Sequence, residues 1–305
     1  MCSSVVERHS DKVEADGPIP STRTMALDIK ENEPLKKHST FRIGGPAKYF
    51  VVVKSEEEIL GAIKFAEEKK LPYFIFGNGS NILYRDEGYE GVAIKSQISN
   101  LKSQNLVITA GSGVLLSQII NFAVENNLSG LEWGIGIPGA IGGCVAGNCG
   151  AFGRSISECV ERVKTIGAEY SKEECDFSYR QSKFKNSDNK EIILEVELKL
   201  KQKNKEKIKE EIKNNLMQRK NRIPPYPSIG CVFKNPKPLS AGSLIEQCGL
   251  KSKKIGGAKI AEEQSNFIVN VGHATSGDVL ALIKLCKEKV KEKFSIDLEE
   301  EIVIL

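Results

Sequence analysis

The chain has 305 residues, 40% of them hydrophobic and 28% charged, with 44 Lys and Arg against 40 Asp and Glu. That length and balance bury a substantial core spread over two or three lobes, and they exclude a disordered or fibrous chain. The net charge of +4 suits an anionic ligand without requiring one. No apolar run reaches the length of a membrane span, and the N-terminus carries no signal-like apolar core. Cysteines at Cys2, Cys144, Cys149, Cys159, Cys175, Cys231, Cys248 and Cys286 show neither CxxC pairs nor the spacing of a secreted scaffold, so reduced thiols in a cytoplasmic protein are expected.

Residues 1–26 are polar, lack sustained periodicity and read as a disordered extension. A first lobe is expected over 27–97. In it KYFVVV is a β-rich run, Ser55 and Glu58 form a capping box, the helix that follows sets Ile59, Ile63 and Ala66 on one face, and YFIF ends in the turn GNGSN. A second lobe, 98–222, opens with the strand LVITAGSG and the amphipathic helix SQIINFAVENN. A glycine-dense stretch from Gly134 to Gly153 follows, then the strands VKTIGAEY and EIILEVELKL. From Asn204 to Lys220 a lysine-rich helix carries Ile208, Ile212 and Leu216 as one apolar stripe, and its charges read as a solvated face in preference to a nucleic-acid surface. The prolines of IPPYPS form a rigid hinge into a third lobe, 223–294, with strand CVF, helix SLIEQC, strand NFIVN and a long helix from Ser276 to Lys293. The short strand EIVIL closes the chain within 295–305. The expected fold class is α+β.

Several segments can carry chemistry. TFRIGG and GNGSN place glycines beside small polar residues, which lets backbone N–H groups approach a phosphate; taken alone, GNGSN reads equally as a tight turn. Gly134, Gly136 and Gly139 match GxGxxG literally, but the classical dinucleotide fingerprint needs a buried strand before it and a helix after it. Here GLEW precedes, and AIGGCVAGN, interrupted by Gly142, Gly143 and Gly147, follows. The interspersed Trp133, Ile135, Ile137, Ile141, Val145 and Phe152 mark a loop lining a ligand, since linkers lack such residues. In FSYRQSKFK, Arg180 offers a fork that can hold a carboxylate, and a surface arginine satisfies the same spacing. Cys231 in SIGCVFKNP stands at the start of an apolar strand, where a cysteine serves equally as a small hydrophobe. In LEEEIVIL, period two puts Glu299 and Glu301 on one face and Glu300 on the other.

The order TFRIGG, GNGSN, GLEWGIGIPGAIGGCVAGNCGAFG, YRQSKFK, GCVFKNP, AGSLIEQCGLKSKKIGGAKIAEEQSNFIVN and LEEEI resembles the UDP-N-acetylenolpyruvoylglucosamine reductase family over about residues 30 to 305. The resemblance implies a two-lobed FAD-binding unit of the vanillyl-alcohol oxidase and p-cresol methylhydroxylase type, followed by a smaller α+β substrate domain. The short connection between Arg180 and Gly230 is similar to the second of the family's two structural types. The implied activity is NADPH-dependent, FAD-mediated reduction of UDP-N-acetylglucosamine enolpyruvate to UDP-N-acetylmuramate, by a monomer without nucleic-acid, membrane or metal partners. Carried over residue by residue, Arg180 and Glu301 stabilise the enolic intermediate and Cys231 donates the proton. The family's common residue at the last position is serine, so a gain in sensitivity to thiol alkylation is expected.

The resemblance further implies a flavin lining of Gly77, Asn78, Gly79, Ser80 and Asn81 with Gly136, Pro138, Gly139, Gly142, Gly143, Asn148, Gly150 and Ala151, and Arg42 near the pyrophosphate. For the substrate it implies Tyr179, Arg219, Arg222, Lys234 and Asn235, with Gln264 and Glu246 toward the sugar. Two other readings stand beside it: a flavin-linked alcohol oxidase using His38, and a non-catalytic protein that binds nucleic acid through the lysine-rich helix.

Overall fold

The computed structural model describes residues 27–185, 191–220 and 222–305 of the chain; the N-terminal extension expected over residues 1–26 lies outside them. The first lobe is built from β1 (Ile29–Pro34), β2 (Pro46–Val53), α1 (Glu56–Glu68), β3 (Tyr73–Phe76), the short β4 (Ile82–Leu83) and β5 (Tyr89–Ser96). Its sheet has the order β1-β2-β5-β3, with β2, β5 and β3 parallel and β1 antiparallel at the edge. Val51 and Val53 pack with α1 on one face of this sheet, and Phe50 packs with Phe74, Phe76 and Tyr84 on the other. Ser55 caps α1 by accepting the Glu58 N–H at 3.2 Å, while the Glu58 carboxylate accepts the Lys54 N–H at 2.6 Å. Ile59, Ala62 and Ala66 form the buried stripe of α1, and Ile63 lies half-buried at its edge.

In the second lobe, β6 (Leu101–Gln104), β7 (Val107–Gly111), α2 (Leu116–Glu125), β8 (Leu128–Ser129), α3 (Ile141–Ala146), β9 (Gly150–Ala151), β10 (Arg154–Ser155), β11 (Val160–Thr165), β12 (Ala168–Ser171), β13 (Ile193–Lys199), β14 (Lys201–Gln202) and α4 (Lys205–Lys220) surround a core that contains Trp133, Ile119 and Ile120. The main sheet is antiparallel, in the order β12-β11-β13-β7-β6. VKTIGAEY is therefore a hairpin and not one strand: Gly167 takes φ +81° and turns the chain so that Thr165 pairs with Ala168. The stripe of α4 holds only in its first half, because Ile208 is buried and Ile212 packs on the core while Leu216 is 45% exposed. Three lysines at or before that helix are matched by carboxylates, in the pairs Lys203–Glu211, Lys205–Glu125 and Lys209–Glu206.

The third lobe comprises β15 (Ser228–Cys231), α5 (Ala241–Gln247), β16 (Lys254–Ile255), β17 (Ala258–Ile260), β18 (Phe267–Asn270) and α6 (Ser276–Phe294), with β19 (Val303–Ile304) closing the chain. Its antiparallel sheet runs β15-β18-β17-β16. The strand expected over CVF lies upstream, because Asn266 takes over beyond Cys231: its backbone C=O accepts the Val232 N–H, and its side chain bonds both the N–H and C=O of Phe233.

This lobe does not own its core. Phe41, Ile43 and Leu83 from the first lobe pack among Ile229, Val232, Phe233 and Leu282, and Leu298 and Ile302 from the C-terminal segment join them. β19 then runs parallel to β4 of the first lobe, with Val303 opposite Ile82. Asp86 fastens the same junction by accepting from the Ser276 N–H and hydroxyl, both at 2.8 Å.

Phe41 is fully buried between the lobes. Phe41→Ala is expected to cost about 3–5 kcal/mol. Urea unfolding followed by circular dichroism checks this; a midpoint unchanged from wild type contradicts a shared core.

Candidate functional site

The glycine segments meet. GNGSN, at the end of β3, and the stretch from Gly136 through Ala151 face each other across a cavity of about 1180 Å³. Close packing accounts for several of the glycines. A Cβ on Gly77 would stand 2.6 Å from that of Ala140, one on Gly139 2.7 Å from the Cys144 sulfur, and one on Gly142 2.9 Å from the Ser112 Cβ. Gly79 has φ +60°, and a side chain there would collide with the His38 carbonyl. At Gly143 an added Cβ would meet nothing within 4 Å, so that glycine keeps a bare backbone face toward the cavity.

The literal GxGxxG proves not to be a dinucleotide fingerprint, although one half of its context exists. AIGGCVAGN does form the six-residue helix α3, despite its glycines. What precedes it is a single 3₁₀ turn over Glu132–Gly134 and not a strand. The first N–H groups of α3 are already spent, Ile141 donating to the Val114 carbonyl at 2.8 Å and Gly142 to that of Ser112 at 2.9 Å. The loop after β7 therefore occupies the place that a phosphate takes at a Rossmann helix.

Against this cavity stand Arg180, Glu301 and Cys231. Arg180 lies in the turn Ser178–Gln181 with φ +57°. Its guanidinium donates to the Gly150 carbonyl at 2.9 Å and the Asn148 carbonyl at 3.4 Å, and its Nε is 2.6 Å from a Glu301 oxygen, an ion pair whose N–H is not aligned as a hydrogen bond. Glu301 comes from the C-terminal segment, where its N–H donates to the Val232 carbonyl at 2.8 Å and its C=O accepts from the Asn81 amide at 3.1 Å. Burial raises the Glu301 pKa, opposed by the cations of Arg180, Lys185 and Lys234. Cys231 touches the cavity yet is deeply set among protein atoms; that burial, with the Glu301 charge adding to it, pushes its thiol up to about 12. Arg180, Arg219 and Asn266 pull the other way. The thiol thus keeps its proton at neutral pH, and the thiolate that attacks an alkylating agent is scarce.

The alternation expected at the C-terminus holds. Glu299 pairs with Lys234 and Glu301 with Arg180, while Glu300 points away to Lys287 at 2.9 Å.

Among the other residues singled out from the sequence, Gly77, Asn78, Gly79, Ser80, Asn81, Gly136, Pro138, Gly139, Gly142, Gly143, Gly150, Ala151, Arg219, Arg222, Asn235 and Gln264 line the cavity. The amides of Asn78 and Asn81 are engaged within the protein, Asn78 donating to Pro138 at 2.6 Å, so these residues brace the walls. Arg219 reaches in from α4 and stands over the Phe152 ring at 5.5 Å, with its buried Nε lacking a partner in the protein. Arg42, Asn148, Tyr179, Lys234 and Glu246 fall outside this lining. Arg42 is exposed, in a left-handed turn beside Ser39. Asn148 is buried and spends its amide on Ser178 and Ser157. Lys234 is held by Glu299, and Glu246 is an exposed partner of Lys251.

Asn148 and Tyr179 instead line a smaller adjoining pocket of about 560 Å³ with Lys237 and Arg154, which shares Gly150, Ala151, Phe152, Arg180 and Asn235 with the main cavity. Arg180 stands on the partition. Ser96 and Ser112, whose hydroxyls bond each other at 2.9 Å in the cavity wall, carry no motif in the sequence, whereas Lys185 and the strand-holding Asn266 stand inside YRQSKFK and NFIVN without being singled out there.

The residues present fit a flavin dinucleotide. The cavity is larger than the ~300–1,000 Å³ usual for a drug-sized ligand, and glycine backbone at Gly77, Gly79, Gly136, Gly139, Gly142 and Gly143 lets a flat, phosphorylated group approach its wall closely.

Comparison with known proteins agrees. Residues 47–169 match an FAD binding domain, and residues 222–305 match the UDP-N-acetylenolpyruvoylglucosamine reductase C-terminal domain. The chain is 41% identical over 281 residues to a UDP-N-acetylenolpyruvoylglucosamine reductase from Clostridium botulinum, covering 90% of this chain and 91% of the relative. It is 40% identical to one from Caldanaerobacter subterraneus subsp. tengcongensis, covering 90% and 92%. The crystal structure of UDP-N-acetylenolpyruvylglucosamine reductase from Thermus caldophilus superposes with a TM-score of 0.76 at 35% identity, covering 92% of this chain and 98% of that one. With the whole cavity and both of its flanking lobes inside these matches, the chain belongs to the UDP-N-acetylenolpyruvoylglucosamine reductase family.

Proposed function

We infer that this chain reduces UDP-N-acetylglucosamine enolpyruvate to UDP-N-acetylmuramate at the expense of NADPH, in the making of peptidoglycan precursors and hence in cell-wall growth and division. The observation that carries the reading is the Arg180–Glu301 pair with Cys231 beside the same cavity, at the end of two glycine-walled segments. Gly77 to Asn81, Gly136 to Gly143, Gly150 and Ala151 would hold FAD. Bound FAD supplies the hydride, received from NADPH, that reduces the enolpyruvyl double bond.

The roles of the side chains follow from that reaction. When hydride reaches the methylene carbon, negative charge grows toward the neighbouring carboxylate. Arg180 meets that charge with a cation whose other donors are tied to Gly150 and Asn148, so little reorganisation accompanies it. Glu301, with its raised pKa, supports the protonated form of the same group. Cys231 holds the proton that the adjacent carbon takes up, and burial prevents its loss to solvent before the hydride arrives. Arg219, Arg222 and Asn235 receive the nucleotide diphosphate, with Tyr179 and Lys234 supporting Asn235 and the Glu301 end of the site.

Among the described residues no helix is long and apolar enough to cross a membrane. Carboxylates pair with Lys203, Lys205 and Lys209 and offset part of the positive charge of the lysine-rich segment. We propose in addition that the enzyme acts in the cytoplasm as a monomer, without nucleic acid.

Two outcomes are expected. The purified protein is yellow and oxidises NADPH at 340 nm in a manner dependent on the enolpyruvyl nucleotide; a colourless protein, or oxidation indifferent to that nucleotide, overturns the reading. Cys231→Ala slows reoxidation of the reduced flavin by the nucleotide by about 10²–10⁴-fold, whereas Cys231→Ser stays within about tenfold of wild type, because a hydroxyl there also keeps a transferable proton. Stopped-flow absorbance at 450 nm separates the two variants, and equal losses remove Cys231 as the donor.

A further inference from the structure

Lys185 ends the segment FSYRQSKFK and lines the main cavity. Its Nζ donates to the backbone carbonyl of Arg180 at 3.0 Å. That carbonyl belongs to a residue in the left-handed region, which side-chain-bearing residues disfavour and which persists only where neighbours over-determine it. The turn itself contributes the two backbone bonds between Ser178 and Gln181, and the Asn148 amide braces it by donating to the Ser178 carbonyl at 2.7 Å. The guanidinium is fixed at its far end by Gly150 and Asn148, and the carbonyl of the residue from which it springs is held by Lys185. The same ammonium also belongs to the charge cluster around Glu301, facing Lys234 and Arg180 as cations and Glu301 and Glu299 as anions.

We propose that Lys185 is a positioning residue for the substrate half-reaction: it locks the left-handed backbone of Arg180 and sets its ammonium on the cavity wall that Arg180 shares with Glu301. The proposal rests on the roles inferred above for Arg180 and Glu301. Two independent observations support it: the hydrogen bond to the Arg180 carbonyl, and the place of the ammonium within the cluster.

The charge effect has a definite sign. Burial raises the Glu301 pKa, while Arg180, Lys185 and Lys234 lower it. Cys231, buried and protonated, adds no charge to the cluster. Removing the Lys185 cation takes away one of the lowering influences, so Glu301 titrates at a higher pH than in wild type. The limb of the rate profile that reports Glu301 then moves upward in pH whether its protonated or its ionised form is the active one.

The test is single-turnover reoxidation of the flavin-reduced holoenzyme by the enolpyruvyl nucleotide across pH, in wild type, Lys185→Met, Lys185→Gln and Lys185→Arg. Lys185→Met is expected to slow reoxidation by about 10²-fold and to shift the Glu301 limb to higher pH. Lys185→Gln keeps a donor for the Arg180 carbonyl and shows the pH shift with a smaller loss of rate, and Lys185→Arg returns the limb to its wild-type position. Should Lys185→Met fail to retain flavin, the comparison of Lys185→Gln with Lys185→Arg decides by the same limb. A limb unmoved in the neutral variants, whatever their rates or stabilities, overturns the role of Lys185. Absence of reoxidation in wild type would instead overturn the proposed function itself, so the two failures are distinct.

Discussion

The ion pair between Arg180 and Glu301 is the constraint on which the rest of the structure depends. Both side chains are largely withdrawn from water, 20% and 17% exposed, and withdrawing a charge pair commonly costs more than the attraction returns. Such a pair is poor economy as a source of stability. It survives because its two ends are held from opposite parts of the chain. The arginine rises from a turn after β12, with its donors on Gly150 and Asn148; the glutamate hangs from a segment anchored by Leu298 and Ile302 in the third lobe and by β19 against β4 in the first. Three lobes have to be in register before the pair forms. This explains why the core of the third lobe borrows Phe41 and Ile43, and why Asp86 is spent on the start of α6.

The glycine segments obey a related logic. In a Rossmann unit glycines clear the way for a phosphate at a helix N-terminus. Here they let pieces of protein approach one another: Gly77 against Ala140, Gly139 against Cys144, Gly142 against Ser112. The N–H groups that would greet a phosphate are bonded to Val114 and Ser112. Gly143, by contrast, presents an unobstructed backbone face, as does Gly230 in the same cavity lining. The flavin wall is thus a surface made thin by close packing, and Asn78 and Asn81 stitch it together, the latter reaching directly to the backbone of Glu301. The glycine wall and the backbone that carries Glu301 are one hydrogen-bonded unit.

How much of this the sequence discloses depends on the range of the interaction. Local features are legible: the Ser55 cap, the alternation of Glu299, Glu300 and Glu301, the amphipathic α2. So are the seven ordered segments, whose sum identifies the family although each alone reads as a turn or a strand end. Features that depend on a distant partner are hidden. Nothing in NFIVN marks Asn266 as the residue that holds Val232 and Phe233, since its partners lie 33 residues away or more. Arg42 and Asn148 carry the right chemistry for an anion or an amide contact, but one is turned to solvent and the other consumed by Ser178 and Ser157. Gly167 makes a hairpin of a run whose composition reads as a single strand, because a glycine's left-handed option leaves no trace in hydrophobic periodicity.

Cys231 shows what the position demands. A free thiol is prized for the ease with which it becomes a thiolate, and reactive cysteines sit beside cations that promote ionisation. Two cations, Arg180 and Arg219, do act on Cys231, yet burial and the Glu301 charge outweigh them and carry the pKa to about 12. The environment therefore works against the property that distinguishes cysteine from serine. A residue whose task is to keep one proton until a carbanion-like centre calls for it needs a bound hydrogen, a short reach and protection from solvent. A hydroxyl supplies these as well as a thiol does. Under the proton-donor role proposed for Cys231, a cysteine is tolerable where a serine would serve because burial suppresses the thiolate, and the same suppression makes the acid available only when negative charge develops beside it.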